Sequence, residues 1–214
     1  MKRFFSFSFL VFSCFAGAAL TQDGPLKIEI TDGVIEPLSF AVPVFEAENS
    51  AAREIAAEIS SIVVADLTSS GLFREIPKNR FIAQRKTFEE PVRFPDWRAV
   101  NAQALVTAAV KTSGSGQLTV KFRIFDIFSG VQLGKGTQLS GSTGAARRMA
   151  HQVADQVYKR ITGEGAYFDS RIVFVSESGP KDKRLKRLAI MDSDGKQMKF
   201  LTGNDNIVLA PRIS

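Results

Sequence analysis

Asp66 is the residue whose type and position most invite a chemical role. It falls among Ile55, Ile59, Ile62, Val63 and Leu67, and 100° steps along a helix bring it to the middle of that apolar face. A carboxylate there, close to the negative end of the helix dipole, must find a donor or shift its ionisation. A general acid is one use for it and a structural hydrogen bond is the other. The spacing sets no second carboxylate and no histidine beside it, which favours the structural use. His151 is the single histidine. The repeat Met149, Val153, Val157 and Ile161 places it on the opposite, solvent side of its helix. Lacking a cysteine or a second histidine, it makes a poor metal or catalytic centre. Residues 130–136, Gly-Val-Gln-Leu-Gly-Lys-Gly, have the glycines and lysine of a phosphate loop. They lack its four-residue spacer and the Ser or Thr after lysine, and they sit in a hairpin rather than ahead of a helix. No Gly-x-Ser-x-Gly, His-Glu-x-x-His or Cys-x-x-Cys occurs. The residue types point to binding or scaffolding, with no catalytic, cofactor-binding or metal-binding set.

Two long helices and a group of strands must position whatever site exists. The helix at 50–70 is closed by Gly71, and Asn49 or Ser50 can cap its start. The second helix, 143–162, is terminated by Gly163. Pro95-Asp96-Trp97 opens a short third helix. Its Trp97 and Val100 share one side, Trp97 reads as a core anchor, and Asn101 ends the helix in a left-handed conformation. Strands are predicted at 40–45, where Pro43 favours a sheet edge, and at 72–76 and 80–83. Residues 105–110, 118–128 and 131–139 read as an antiparallel meander with turns at 114–116 and 129–130. Alternation fails at 125–128, which suggests a bulge or a stretch covered on both faces.

Near the N-terminus, Leu26, Ile28 and Ile30 alternate with Lys27 and Glu29, the pattern of a half-exposed strand. An Asp32-Gly33 turn follows. Such a strand either packs locally or adds to the sheet edge of a partner, and both uses remain open. Ahead of it, Lys2, Arg3, the apolar run 4–15 and Ala16-Gly17-Ala18-Ala19 read as a secretory signal over residues 1–19. Cys14 lies inside that run, so its cleavage leaves no cysteine. Cleavage at Cys14 as a lipoprotein is disfavoured by Phe12. The 28 basic and 22 acidic residues give +6 over the whole chain, and losing Lys2 and Arg3 with the leader leaves +4. Lys181, Lys183, Arg184, Lys186 and Arg187 form the densest basic run. No aromatics interleave with it, so it reads as a solvated loop rather than a nucleic-acid surface. An anionic-surface binder is the weakest reading of that run. After the leader no apolar run is long enough to span a membrane.

Residues 171–214 look like one unit of a repeated structure. Apolar runs at 172–175, 188–191, 198–201 and 207–209 are separated by a basic loop and by Asp192-Ser193-Asp194-Gly195, a hairpin turn. That spacing suits one propeller blade, which cannot bury both faces alone and so points to a larger architecture.

Several stretches together resemble the TolB family of the Tol-Pal envelope system of Gram-negative bacteria. They are Phe-Ala-Val-Pro-Val-Phe at 40–45, the string Ile-Val-Val-Ala-Asp-Leu-Thr-Ser-Ser-Gly-Leu-Phe at 62–73, and Trp-Arg-Ala-Val-Asn-Ala-Gln-Ala-Leu-Val at 97–106. Arg-Ile-Val-Phe-Val at 171–175 and Met-Asp-Ser-Asp-Gly at 191–195 complete the set. The resemblance implies an α+β fold. A mixed or antiparallel sheet is packed by two main helices and followed by one incomplete propeller blade. Its expected divisions are the signal at 1–19, a partner-binding segment at 20–36, an α/β domain at 37–165 and a first blade at 166–214. It implies a non-enzymatic periplasmic adaptor in envelope integrity and in outer-membrane constriction at cell division. The mature N-terminus would contact a TolA-like inner-membrane protein through Leu26, Lys27, Ile28, Glu29, Ile30, Asp32 and Val34. The propeller, mostly lying past this sequence, would contact the lipoprotein Pal. Asp66 and Trp97 are expected to be structural. The competing reading is a serine peptidase, because similar propellers precede peptidase domains.

Overall fold

What links the strands decides their direction in the main sheet. The computed structural model describes residues 30–31, 34–82, 87–165 and 167–203. At its start β1 (Ile30–Thr31) pairs antiparallel with β2 (Val34–Ile35), with Thr31 opposite Val34. β3 (Leu38–Ala41) and β4 (Glu46–Ala47) follow, then α1 (Arg53–Ser69) and β5 (Phe73–Glu75). β3 and β5 run parallel, which requires a long crossover, and α1 supplies it. The chain then passes through α2 (Phe94–Ala99) into β6 (Ala104–Thr112), again parallel to β3. From there it turns back directly. β7 (Gln117–Asp126) pairs antiparallel with β6, and β8 (Val131–Gln132) and β9 (Thr137–Ser142) both pair antiparallel with β7. These seven strands form one mixed sheet, and α3 (Ala146–Thr162) returns across it.

Burial follows the sequence pattern strand by strand. β7 keeps Leu118, Val120, Phe122 and Ile124 buried while Thr119, Lys121 and Arg123 stay half-buried, as expected where one face meets the core. β6 is buried at every position except Lys111, because both of its faces are covered. On one side α1 and α3 close over Phe40, Val106, Val120, Phe122 and Ile124, with Ile59, Val63, Leu67, Val153, Val157 and Ile161 facing them. On the other side α2 brings Trp97 and Val100 onto Ala41, Leu105, Phe125 and Ile127. Each of these large side chains adds about 1.5–3 kcal/mol on full burial.

Two local expectations change in the structure and a third is narrowed to one alternative. The strand at 40–45 is not an edge strand, since β3 lies between β5 and β6 and ends at Ala41. The chain rejoins β6 at Glu46 opposite Ala109, using one more residue than β6 does from Leu105. Pro43 therefore sits in a bulge, where its missing N–H forfeits no ladder bond. At 125–128 the second alternative holds, because Phe125 and Ile127 are buried on the α2 side next to Ile124 on the other, and the bulge falls on the facing segment. β7 ends at Asp126, whose carboxylate accepts from Phe128 N and Ser129 N, and residues 133–136 loop out between β8 and β9. In place of a strand at 80–83, Lys78–Arg80 form a 3-10 turn, and residues 83–86 lie outside the described residues.

Helix ends behave as their residues suggest, with one exception. Asn101 has φ 60, and Ala102 N donates to Trp97 O, the 6→1 bond of a left-handed C-cap. Gly163 has φ 79 and donates to Lys159 O. Asn49, however, caps nothing. Its amide donates to Thr112 O and ties the approach to α1 onto β6.

After residue 170 the chain forms a separate three-stranded antiparallel sheet. β10 (Arg171–Ser178) pairs along its length with β11 (Leu185–Asp192), and β12 (Lys199–Phe200) pairs with β11 beyond the Asp192–Gly195 turn. Its strands are mostly half-buried or exposed, apart from Ala189. The apolar run at 207–209 lies outside the described residues. The chain is α+β, with a mixed sheet packed by two long helices and a small second sheet. Among the described residues no helix is long and apolar enough to cross a membrane.

Candidate functional site

Buried charge collects where α3 meets the second sheet. Asp66 on α1 is only 4% exposed, and His151 on α3 only 2%. Their side chains meet at 2.7 Å, Nδ1 to Oδ2. A carboxylate can only accept, so the proton lies on Nδ1 and His151 is the donor. Burial alone lowers the basicity of the imidazole. The hydrogen bond and charge of Asp66, with Asp194 beyond, outweigh it and hold the His151 pKa above its ordinary value. The other nitrogen, Nε2, is buried without a hydrogen-bond partner.

His151 is thus not on the solvent side of its helix, as the four-residue repeat suggested. Nine residues of α3 are buried, among them Ala146, Ala150 and Ala154 beside the Met149–Val153–Val157 stripe. Tyr167 and Phe168 stack on Tyr158, and Asp192 and Asp194 approach Arg147, so residues far along the chain cover that flank of α3, while His151 itself bonds Asp66 on α1. The alanine spacing was the legible signal of a wider buried face. What covers the flank lies far along the chain and leaves no mark in the helix itself.

The connection between the two sheets is fixed by polar groups of α3. Asp155 accepts from Phe168 N at 2.7 Å and from Asp169 N at 3.1 Å. Gln152 and Arg148 donate to the Asp169 carboxylate. One turn nearer the N-terminus, Arg147 Nη2 donates to Asp194 Oδ2 at 2.7 Å, and its Nε stands 3.7 Å from Asp192 Oδ2. Arg171 approaches Asp192 Oδ1 at 3.9 Å. The turn itself is pinned, because Ser193 donates through N to Ser170 O and through Oγ to Phe168 O. Gly195, at φ 78, allows the tight reversal. A nitrogen of His151 and one oxygen each of Asp192 and Asp194 lie within 4.8 Å of one another.

Other residues singled out by sequence are dispersed. Ile30 and Val34 belong to β1 and β2, whereas Leu26, Lys27, Ile28, Glu29 and Asp32 lie outside the described residues. Trp97 is buried against Phe81 with ring centroids 5.0 Å apart, on the far side of the sheet from Asp66. The glycine-rich segment at 130–136 is held by Arg160, which donates to Leu133 O and Lys135 O. In the basic run, Lys186 and Arg184 pair with Glu177, and Arg187 lies 3.6 Å from the centre of the Phe200 ring. The His151–Asp66 bond ties α3 to α1.

Comparison with known proteins places this architecture. Residues 26–133 match the model of the TolB amino-terminal domain. The chain is 56% identical to the Tol-Pal system protein TolB of Roseobacter denitrificans over 213 residues, 99% of this chain and 48% of that relative. It is 59% identical to the protein of the same name from a Ruegeria species, over 92% of this chain and 45% of that one. Among solved structures, TolB from Acinetobacter baumannii superposes with a TM-score of 0.67 at 25% identity, over 82% of this chain and 41% of that one. The chain spans about half the length of the curated relatives it matches. With half of its residues matched by the domain model, the chain belongs to the TolB family, of which it carries the amino-terminal domain.

Proposed function

We propose that this chain works as a non-catalytic adaptor of the Tol-Pal system in the periplasm, serving envelope integrity and outer-membrane constriction during division. The observation that carries the reading is the match to proteins named for that system along almost the whole chain. The buried acid–histidine pair links α1 to α3 through one hydrogen bond, a use that suits a scaffold.

On this reading residues 20–36 are the partner-binding segment. Leu26, Lys27, Ile28, Glu29, Ile30, Asp32 and Val34 offer alternating side chains and backbone groups to a TolA-like inner-membrane protein. Residues 37–165 are the scaffold that displays the segment, and 166–214 are the first propeller blade. Docking of the lipoprotein Pal belongs to the propeller surface, to which this chain contributes one blade. Deleting residues 22–34 tests the assignment. Capture of the TolA-like periplasmic domain should be lost while the far-UV circular dichroism stays unchanged. Undiminished capture by the deletion variant refutes it.

A further inference from the structure

We infer that His151, Asp192 and Asp194 form a binding site for one divalent cation of the Zn²⁺ class, with Asp66 orienting the imidazole. The site lies where α3 meets the turn between β11 and β12. This inference is independent of the partner reading above.

The argument starts from Nε2. Asp66 accepts the hydrogen bond from Nδ1–H, so a metal ion would take Nε2, which is buried without a hydrogen-bond partner and would give up to the ion any proton it carries. A buried ring nitrogen without a partner, next to two carboxylates, is a place where a cation would satisfy all three groups. The three candidate ligand atoms are within 4.8 Å of one another. Zn²⁺ binds imidazole nitrogen and carboxylate oxygen at about 2.0–2.2 Å in a tetrahedral set, whose ligand atoms stand about 3.4 Å apart, so these would draw together by up to about 1.4 Å. Charge points the same way. With the ring neutral, as a metal ligand must be, three carboxylates (Asp66, Asp192 and Asp194) against two guanidinium groups (Arg147 and Arg171) leave a negative set for the ion.

The protein contacts already made by the two aspartates leave room for a ligand bond. Asp194 accepts from Arg147 Nη2 through Oδ2 and from Lys196 N through Oδ1. Asp192 has Arg147 and Arg171 near its two oxygens at 3.7 and 3.9 Å. Each carboxylate oxygen carries two lone pairs, so neither group is saturated. The aspartate side chains are 20% and 22% exposed, which gives a hydrated ion a way in. An imidazole in the ligand set selects Zn²⁺ and its neighbours over Mg²⁺ or Ca²⁺. Carboxylate, histidine and metal in line is the arrangement that fixes the tautomer of a ligating histidine. An ion there would tie α3 directly to the second sheet and stiffen the seam between them.

The single histidine makes the test unambiguous. Untagged chain without the leader (residues 20–214), freed of metal with a chelator that is then removed, is titrated with Zn²⁺ while the imidazole nitrogens are followed by long-range ¹H–¹⁵N correlation. One equivalent should move Nε2 to a metal-bound shift while Nδ1 stays that of a protonated nitrogen, and Mg²⁺ or Ca²⁺ should do nothing comparable. Calorimetry should give one saturable Zn²⁺ site, lost in Asp192→Asn combined with Asp194→Asn. Asp66→Asn should weaken it about 10–100-fold. An imidazole that ignores Zn²⁺, or equal Zn²⁺ affinity in the double variant (an adventitious ion only), overturns the proposal. The wild-type spectrum decides even if a variant fails to fold.

Discussion

Breaking the Asp66–His151 pair from either side should have unequal costs, and the inequality tests whether its charge is buried as described. Both side chains are under 5% exposed and meet at 2.7 Å. Replacing His151 by Leu leaves the carboxylate of Asp66 without its donor in the apolar stripe, a change of about 3–5 kcal/mol. Replacing Asp66 by Leu leaves an imidazole that can stay neutral. Its loss is that of one unsatisfied donor, about 1–3 kcal/mol. With both replaced no orphaned polar partner remains, so the double variant should be more stable than His151→Leu alone, with a coupling of at least about 2 kcal/mol. For a chain of this size each kcal/mol moves the melting temperature by about 2–4 °C, so His151→Leu should melt roughly 6–20 °C early. Urea unfolding followed through Trp97, the lone tryptophan, gives the free energies, with chelator present so that no cation contributes. Additive single losses, or a cost for His151→Leu no larger than the roughly 0.5 kcal/mol of a surface change, would refute the buried-pair account.

Three further outcomes follow from the same geometry. Asn101 holds φ 60, so Asn101→Gly should keep or raise stability, whereas Asn101→Val should lose about 1–2 kcal/mol, both read by thermal melting. Trp97→Ala empties the centre of the second cluster and should destabilise by about 3–5 kcal/mol in urea, with the dichroism of the folded state retained. Arg147→Ala removes the bond to Asp194 at 2.7 Å. It should speed hydrogen exchange in β10 and β11 while α1 and β6 keep their protection. Equal acceleration across both sheets would mean that they open as one unit.

The sequence was most legible where one element carries its own pattern. Leu118, Val120, Phe122 and Ile124 disclosed the inner face of β7, and Asn101 and Gly163 marked two helix ends by a conformation few other residues adopt. Pro43 favoured a sheet edge, whereas it sits in a bulge between β3 and β4 inside the sheet. The candidate site was not legible, because its members come from three distant places. Asp66 signalled that it needed a partner, but the repeat in α3 turned His151 away from it. That repeat counts only large apolar residues, and the flank carrying Arg147 and Tyr158 is covered by residues far along the chain, which packing alone brings there. Fold class, by contrast, needed no such long-range knowledge: the several stretches that together resemble the family implied α+β, and the individual strand and helix periods agreed with it.

Asp66 and His151 stand 85 positions apart, and that interval bears on how the molecule is made. A nascent chain emerging from its N-terminus displays α1 with an acid in its greasy stripe long before any counterpart has been synthesised. The strands most central to the sheet wait similarly, since β3 pairs with residues past 100. Early, stepwise consolidation of the first hundred residues is therefore disfavoured, and closure should come late and in one concerted event once α3 is complete.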